Sequence, residues 1–495
     1  MPSLIIIVYI FAAVLLAAYS LNSILLTALF LRHRQSRRPT TPPLVRFPRV
    51  TIQLPIYNER YVVNRLIDAV ARLDWPGDRI EIQVLDDSTD ITTSIARAAV
   101  RHWQQQGVNI RLIHREHRAG FKAGALAHGL ATASGEFITI FDADFVPPPD
   151  FLRRTIPHLL ADPGLGLVQA RWGHLNADYS LLTRAEALGI DAHFVVEQAA
   201  RDCSGLYLNF NGTAGVWRRE CIETSGGWHT DTLSEDVDLS YRAQLAGWRL
   251  RYLPDVVVPA ELPPQIHGFK GQQFRWAKGS IQVARKLARR LLSHDVSPWV
   301  RLQGMFHLTG YLIHPLMIVL LLIVVPLIFS RSQAPAGFAY LSLATLGPPF
   351  LYTTAQWAAY PDWRRRMLGF PILALIGTGI AVSNTQAVAE ALLNRKTAFQ
   401  RTPKFRIEDR GDRWADKSYA LGRDPLVLSE MALAGYAGLG IIAAWQTGQW
   451  YVIPYLLLYA LGFSLVAALT LLHSRRRRPS GWRAMFSRDR VAKRM

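Results

Sequence analysis

The stretch "LSEDVDLSYR", Leu233 to Arg242, sets Glu235, Asp236 and Asp238 within four positions. The chain around it is basic, with 56 Lys+Arg against 37 Asp+Glu. Such a knot suits a helix N-terminus, with Ser234 as cap and the acids at the positive end of the helix dipole. Other stretches decide whether it is more. Asp142 and Asp144 form a D-x-D pair after a buried β-rich run, "EFITIF". In an extended segment, side chains two apart point the same way. Two hard carboxylate oxygens on one side suit Mg²⁺ or Mn²⁺ that keeps waters and bridges phosphates. "GFKAGAL" offers Lys122 and two glycines just ahead of a helical stretch, either a phosphate site or an ordinary glycine-entered helix. In "QQFRWAKGS", Gln272 and Trp276 lie four apart and share a helix face, with Arg275 beside them. Arginine holds a diphosphate through paired hydrogen bonds, and an indole stacks on a sugar ring. The same stretch also suits an amphipathic helix lying on a membrane. No G-x-x-x-x-G-K-[ST] loop occurs, which argues against P-loop phosphate chemistry.

These residues need a scaffold, and the pattern between residues 40 and 300 supplies one. Short β-rich runs alternate with helical stretches. The strands expected are 49–54, 80–85, 109–115 and 136–141. The helices expected between them are 59–73, a stretch reaching about 105, and 122–133. That alternation argues an α/β fold, a mainly parallel sheet covered on both faces. In such sheets ligands bind beyond the carboxyl ends of the strands. "PIYNE" follows the first strand, "DDSTD" the second and "DADF" the fourth, so three polar clusters converge on one edge. Any one of them alone would pass for turn chemistry.

Both flanks are apolar. The run 4–31 is long enough to span a bilayer, which takes roughly 20 residues, and lacks the basic start of a signal peptide. Further runs lie at about 305–329, 337–358, 368–393, 427–447 and 450–473. Basic stretches at 32–38, 364–366, 394–423 and the C-terminal tail are expected on the cytoplasmic side. That places the first residue outside, the tail inside, and an odd number of full spans between them. The run 368–393 is flanked by two such stretches and holds Ser383, Asn384, Thr385, Gln386 and Glu390, so it reads as re-entrant or interfacial. The net charge of +19 clusters beside the spans, where it sets orientation and meets anionic lipid. Nucleic acid is therefore not an expected partner. Two cysteines, Cys203 and Cys221, offer neither a zinc pattern nor a disulfide framework. The expected organisation is an N-terminal membrane helix at 1–33, a linker at 34–47 and a cytoplasmic domain at 48–300. Membrane helices follow at 301–475, with a loop at 394–425 and a basic tail at 476–495.

The order D-D, D-x-D, E-D, Q-x-x-R-W, with membrane spans on both sides, resembles the processive family 2 glycosyltransferases. The likeness is strongest to the cellulose synthase-like A and C proteins, the mannan, glucomannan and glucan synthases. It rests on "QLPIYNER", "IQVLDDSTD", "GFKAGAL", "FDADFVPPPDF", "VQARWGHLNADYSLLTR", "NGTAGVWRRECIETSGGW", "LSEDVDLSYRAQLAGW" and "QQFRWAKGS". It implies a GT-A type nucleotide-sugar-binding domain joined to a helical transmembrane region. By that resemblance, Pro55, Tyr57, Glu59 and Asp87 would surround the nucleotide, and Lys122 would help hold it. Asp142 and Asp144 would hold Mg²⁺ or Mn²⁺ on the diphosphate, and Gln272 and Arg275 would bind the same group. Asp236 would be the general base, supported by Glu235, and Trp276 and Trp172 would bind the acceptor. "FQRTPK" resembles the F-x-V-T-x-K gating loop of cellulose synthases, with Arg401 in place of the valine, so Phe399, Thr402 and Lys404 would close over the donor. An ordinary basic juxtamembrane loop is the other reading.

The resemblance implies an inverting hexosyltransferase in the plasma membrane, with its catalytic domain in the cytoplasm. It would extend a β-1,4-linked mannan, glucomannan or glucan from GDP-mannose or UDP-glucose. The inventory agrees with that chemistry, since inversion needs one base and charge neutralisation on the leaving diphosphate, and no covalent carboxylate. Two alternatives stand beside it. One is a non-processive enzyme that glycosylates a lipid such as a diacylglycerol or ceramide. The other is an export component that has lost catalysis.

Overall fold

The computed structural model describes residues 2–34, 40–330, 345–395, 401–417, 419 and 424–475. A seven-stranded mixed sheet organises the central part, in the order β3-β2-β1-β4-β6-β5-β7. The strands are β1 (Val50–Ile56), β2 (Ile80–Asp86), β3 (Ile110–His114), β4 (Phe137–Ile140), β5 (Leu165–His174), β6 (Gly215–Arg218) and β7 (Arg249–Ala260). The first four are parallel neighbours. The four-residue β6 runs antiparallel to both β4 and β5, and β5 and β7 are parallel to each other.

The expected strands and helices of the first half are present within a few residues. The helix expected from 59 begins only at Val63; residues 60–62 form a turn, and the Val62 and Val63 N–H groups both donate to the Glu59 carbonyl. β1, β2 and β4 are buried on both faces, as strands of a parallel sheet between helical layers must be. One apolar core packs Ile52, Leu54, Ile82 and Val84 against the helices Val63–Ala71, Thr92–Gln105 and Phe151–Ala161. The other packs Ile138, Ile140 and Trp217 against the helices Phe121–Ala131 and Glu235–Leu245.

Among the described residues, four helices are long and apolar enough to cross a membrane: Leu4–His33, Pro298–Phe329, Leu426–Gln446 and Trp450–Ser474. A bent pair, Trp363–Gly379 and Ala381–Leu392, turns by 44° and would make a fifth if it is one broken span. The bend falls inside the run read as re-entrant. Of the run 337–358 the structure describes the helix Gly347–Ala359, which is 13 residues long and not among those four; the first part of that run lies outside the described residues.

The helix Ile266–Ser293 joins the two parts. Its buried Lys270 reaches Asp424 and Glu430, at 2.5 Å each. Its buried Lys278 reaches Glu390 Oε2 and the Arg395 carbonyl, both at 2.8 Å. Ammonium groups this deep need paired anions, so they fix the angle at which the helix carries Gln272, Arg275 and Trp276.

Candidate active site

The carboxyl ends of β1, β2 and β4 open into a cleft lined by Pro55, Tyr57, Glu59, Asp87, Asp142 and Asp144. The helix starts bring Lys122, Glu235 and Asp236 to the same cleft, and Gln272, Arg275 and Trp276 close its far side with Trp172. Segments distant in sequence therefore meet because one sheet edge gathers them.

Asp236 sits in the first turn of Glu235–Leu245, its Oδ1 accepting the Val237 N–H at 2.8 Å. Burial pushes its carboxyl up to about 7, with Glu235 adding to the rise and Lys122 opposing it. Burial also raises Glu235, against the pull of Lys122. Gly212, in the left-handed region at φ +80°, lets the chain pass this group: a Cβ there would stand 3.0 Å from Asp236 Oδ2 and 3.3 Å from Lys122 Nζ. Ser234 occupies the N-cap position but makes no capping bond. Its hydroxyl is instead packed against Gly279, where a Cβ would approach to 2.0 Å. The serine expected as a cap is a contact point between two helices.

Lys122 Nζ is 2.6 Å from Asp142 Oδ1, 3.8 Å from Glu235 Oε1 and donates to the Gly212 carbonyl at 2.8 Å. Burial alone would lower its pKa; Asp142, Glu235 and Asp236 outweigh that and hold it above the ordinary lysine value. The D-x-D pair does not lie in extended chain as expected. It follows β4 in a turn, and its two carboxylates take separate lysines, Lys122 on Asp142 and Lys404 on Asp144, each at 2.6 Å.

A segment after the bent helix pair lies across the cleft. Thr402 Oγ1 accepts from Arg275 at 2.7 Å, and Arg401 bonds Glu59 Oε1 at 3.0 Å and the Asn58 carbonyl at 2.8 Å. The backbone N–H groups of Phe405 and Arg406 donate to Glu261. Thr402 and Lys404 thus face the site. Phe399 lies outside the described residues. Burial raises Glu59 to about 7 even with Arg401 against it. Asp87 is bound by Arg115 through both oxygens, at 2.7 and 2.6 Å, and Arg118 stacks on Tyr57 at 3.5 Å. The rings of Trp172 and Trp276 stand 6.4 Å apart at 51°.

A family profile described as "Glycosyltransferase like family 2" matches residues 48–279. The "Probable glucomannan 4-beta-mannosyltransferase 9" of Oryza sativa subsp. japonica is 38% identical over 388 residues, 74% of this chain and 73% of that one. The chain belongs to glycosyltransferase family 2. The "Glucomannan 4-beta-mannosyltransferase 2" of Arabidopsis thaliana is 46% identical over 250 residues, 50% of this chain and 47% of that one. The chain thus spans about half the length of the first curated relatives it matches. Among solved structures, the mannosyltransferase PcManGT from Pyrobaculum calidifontis, in complex with GDP-Man and Mn²⁺, aligns with a TM-score of 0.55 at 24% identity. The alignment covers 78% of this chain and 99% of that one. The likeness shows the shared GT-A fold.

In this family 2 chain, every described residue that the resemblance assigns to the site lines the one cleft. Several of their neighbours were not legible in the sequence. Arg118, Glu261, Asn211 and His174 line the cleft too. Asn211 Oδ1 and Glu197 Oε2 bracket His193, at 3.0 and 3.1 Å. The sequence signal for that contact is His193 four residues before Glu197 on one helix face.

Asp142 and Asp144 fit a divalent cation: both are hard oxygen donors in a cleft where carboxylates outnumber cations, and each already draws a positive group to 2.6 Å. A second set of donors has its cation built in. His229, Asp231 and Asp238 form the one three-donor group found among the described residues. Lys286 Nζ lies between them, at 2.9, 2.8 and 2.9 Å. That group therefore ties the Asp236 helix to the Arg275 helix.

Proposed function

We propose that this chain is a membrane-embedded inverting hexosyltransferase that extends a β-1,4-linked mannan or glucomannan from a nucleotide sugar. The observation that carries the reading is the meeting of Asp236 with Lys122, the D-x-D pair and Arg275 in one cleft beside the apolar helices. The names of the relatives, and the GDP-Man and Mn²⁺ held by a protein of the same fold, support a mannosyl donor with a guanine base.

The acceptor hydroxyl gives its proton to the Asp236 carboxylate as its oxygen attacks the anomeric carbon. The bond from that carbon to the diphosphate oxygen breaks on the opposite face, and the nucleoside diphosphate leaves with the electron pair. Lys122 and Arg275 oppose the charge that grows on the leaving group. A divalent cation, Mg²⁺ or Mn²⁺, held by Asp142 and Asp144 would add charge neutralisation there. Glu235 fixes Lys122 and shares its field with Asp236. Trp172 and Trp276 hold the acceptor sugar, and Tyr57, Glu59 and Asp87 lie around the nucleoside. Thr402 and Lys404 cover the donor.

The flanking basic stretches support a cytoplasmic side for the catalytic domain, with the bent pair at 363–392 entering from that side; the membrane proposed is the plasma membrane. The test is incubation of purified protein with labelled GDP-mannose, GDP-glucose, UDP-glucose and UDP-N-acetylglucosamine, followed by product sizing and linkage analysis. A β-1,4-linked polymer from GDP-mannose is expected. A single short glycolipid, or no transfer at all, overturns the reading.

A further inference from the structure

β5 ends in Trp172-Gly173-His174, and residues 172 and 174, two apart in extended chain, both line the cleft. Each has a buried ring nitrogen without a hydrogen-bond partner: Nε1 of Trp172 and Nδ1 of His174. The His174 side chain is only 4% exposed. Its other nitrogen, Nε2, is held by Asp191 Oδ1 at 2.9 Å.

Asp191 is itself fixed. Gln356 Nε2 donates to its Oδ2 at 2.9 Å, and the Tyr360 hydroxyl donates to its Oδ1 at 3.1 Å. Burial would raise the Asp191 carboxyl, but His174, Gln356 and Tyr360 outweigh it and hold the group below the ordinary aspartate value. A charged carboxylate accepts, so Nε2 of His174 carries a proton, and Nδ1 is the ring nitrogen left for a ligand. An unpartnered nitrogen buried this way forfeits hydrogen bonding that a ligand hydroxyl would restore. Gln356 and Tyr360 belong to the helical region after residue 345, and Arg366 covers the Tyr360 ring at 3.7 Å. The ring is thus oriented by a chain of contacts reaching from β5 into the helical region.

We propose that His174 is an acceptor-binding residue that hydrogen-bonds a hydroxyl of the terminal hexose through Nδ1, with Asp191 as the positioning residue that sets the orientation of the ring. Trp172 Nε1–H supplies the complementary donor two positions away. The pair matches a sugar ring with adjacent hydroxyls, one accepting from the indole and the next hydrogen-bonded to the imidazole. The assignment rests on the proposed polymer-extending function.

The test uses the full chain in detergent, with GDP-mannose as donor and β-1,4-linked mannotetraose as acceptor. His174→Ala should raise the KM for mannotetraose about tenfold, the weight of one buried hydrogen bond. The KM for GDP-mannose and the affinity for GDP should change less than twofold. His174→Asn places an amide oxygen near the lost Nδ1, so it should recover part of that rise and guards against misfolding of the alanine variant. Asp191→Asn should shift acceptor KM in the same direction as His174→Ala. An unchanged acceptor KM in an active His174→Ala enzyme overturns the assignment alone, as does a parallel rise of donor and acceptor KM, which would mark a structural role. A wild-type chain that binds GDP but transfers nothing to mannotetraose overturns the polymer reading, and this assignment with it.

Discussion

Replacing Asp236 by Asn tests the core of the mechanism, because it removes a proton acceptor while keeping shape. Two magnitudes bear on the outcome. A general base is worth 10²- to 10⁴-fold, so transfer should fall by at least about a hundredfold while affinity for the nucleoside diphosphate is retained. The carboxyl stands at about 7 against an ordinary 3.8, a displacement that corresponds to roughly 4 kcal/mol of unfavourable interaction for the charged form. The sign follows from linkage. A carboxyl raised on folding keeps its proton in the folded chain between about pH 4 and 7 while the unfolded chain has lost it, so its contribution to stability falls as pH rises through that window. Asparagine never carries the charge, so the variant should melt no lower than wild type at pH 8. The roughly 4 kcal/mol is the ceiling on any gain, because Lys122 loses one of its anionic neighbours. In the wild type only the ionised carboxylate accepts a proton, so kcat/KM should drop about tenfold per pH unit below 7. The assays are initial-rate transfer from pH 5.5 to 8.5, GDP binding, and thermal unfolding. A variant that retains a tenth of the activity, or a wild-type profile flat from pH 6 to 8, would refute the assignment of Asp236 as base.

Two further outcomes follow from the ion pairs. Lys404→Ala removes the ammonium 2.6 Å from Asp144 and so should tighten Mn²⁺ binding about three- to tenfold while raising the donor KM; electron paramagnetic resonance of free Mn²⁺ and donor titration read the two effects separately. Lys270→Met strands the carboxylates of Asp424 and Glu430, where breaking a buried ion pair costs about 3–5 kcal/mol. The thermal midpoint in detergent should fall by several degrees, and Asp424→Asn/Glu430→Gln on the same background should restore part of it.

Much of this molecule is written locally. A strand of a parallel sheet must be apolar on both faces, so the runs at β1, β2 and β4 stand out, and the polar clusters after them mark the ligand edge. Family 2 motifs could be placed on those ends without coordinates. β5, β6 and β7 could not: β6 is only four residues long, and its direction depends on neighbours far away in sequence. For the same reason the sequence shows that Ser234 precedes a helix, but only packing shows that its hydroxyl meets Gly279 rather than capping.

The site divides along the same line. Residue type and spacing determine which groups can hold a diphosphate, a cation or a proton, since those capacities belong to the side chains themselves. What each group does in the fold depends on what is buried beside it. Asp236 is raised to about 7 because it is desolvated next to Glu235, while the D-x-D carboxylates are drawn to lysines from segments more than 250 residues apart, Lys122 and Lys404. The orientation of His174 likewise depends on Asp191, Gln356 and Tyr360. Desolvation and long-range pairing are properties of the packed chain, and so only the tertiary structure could decide them.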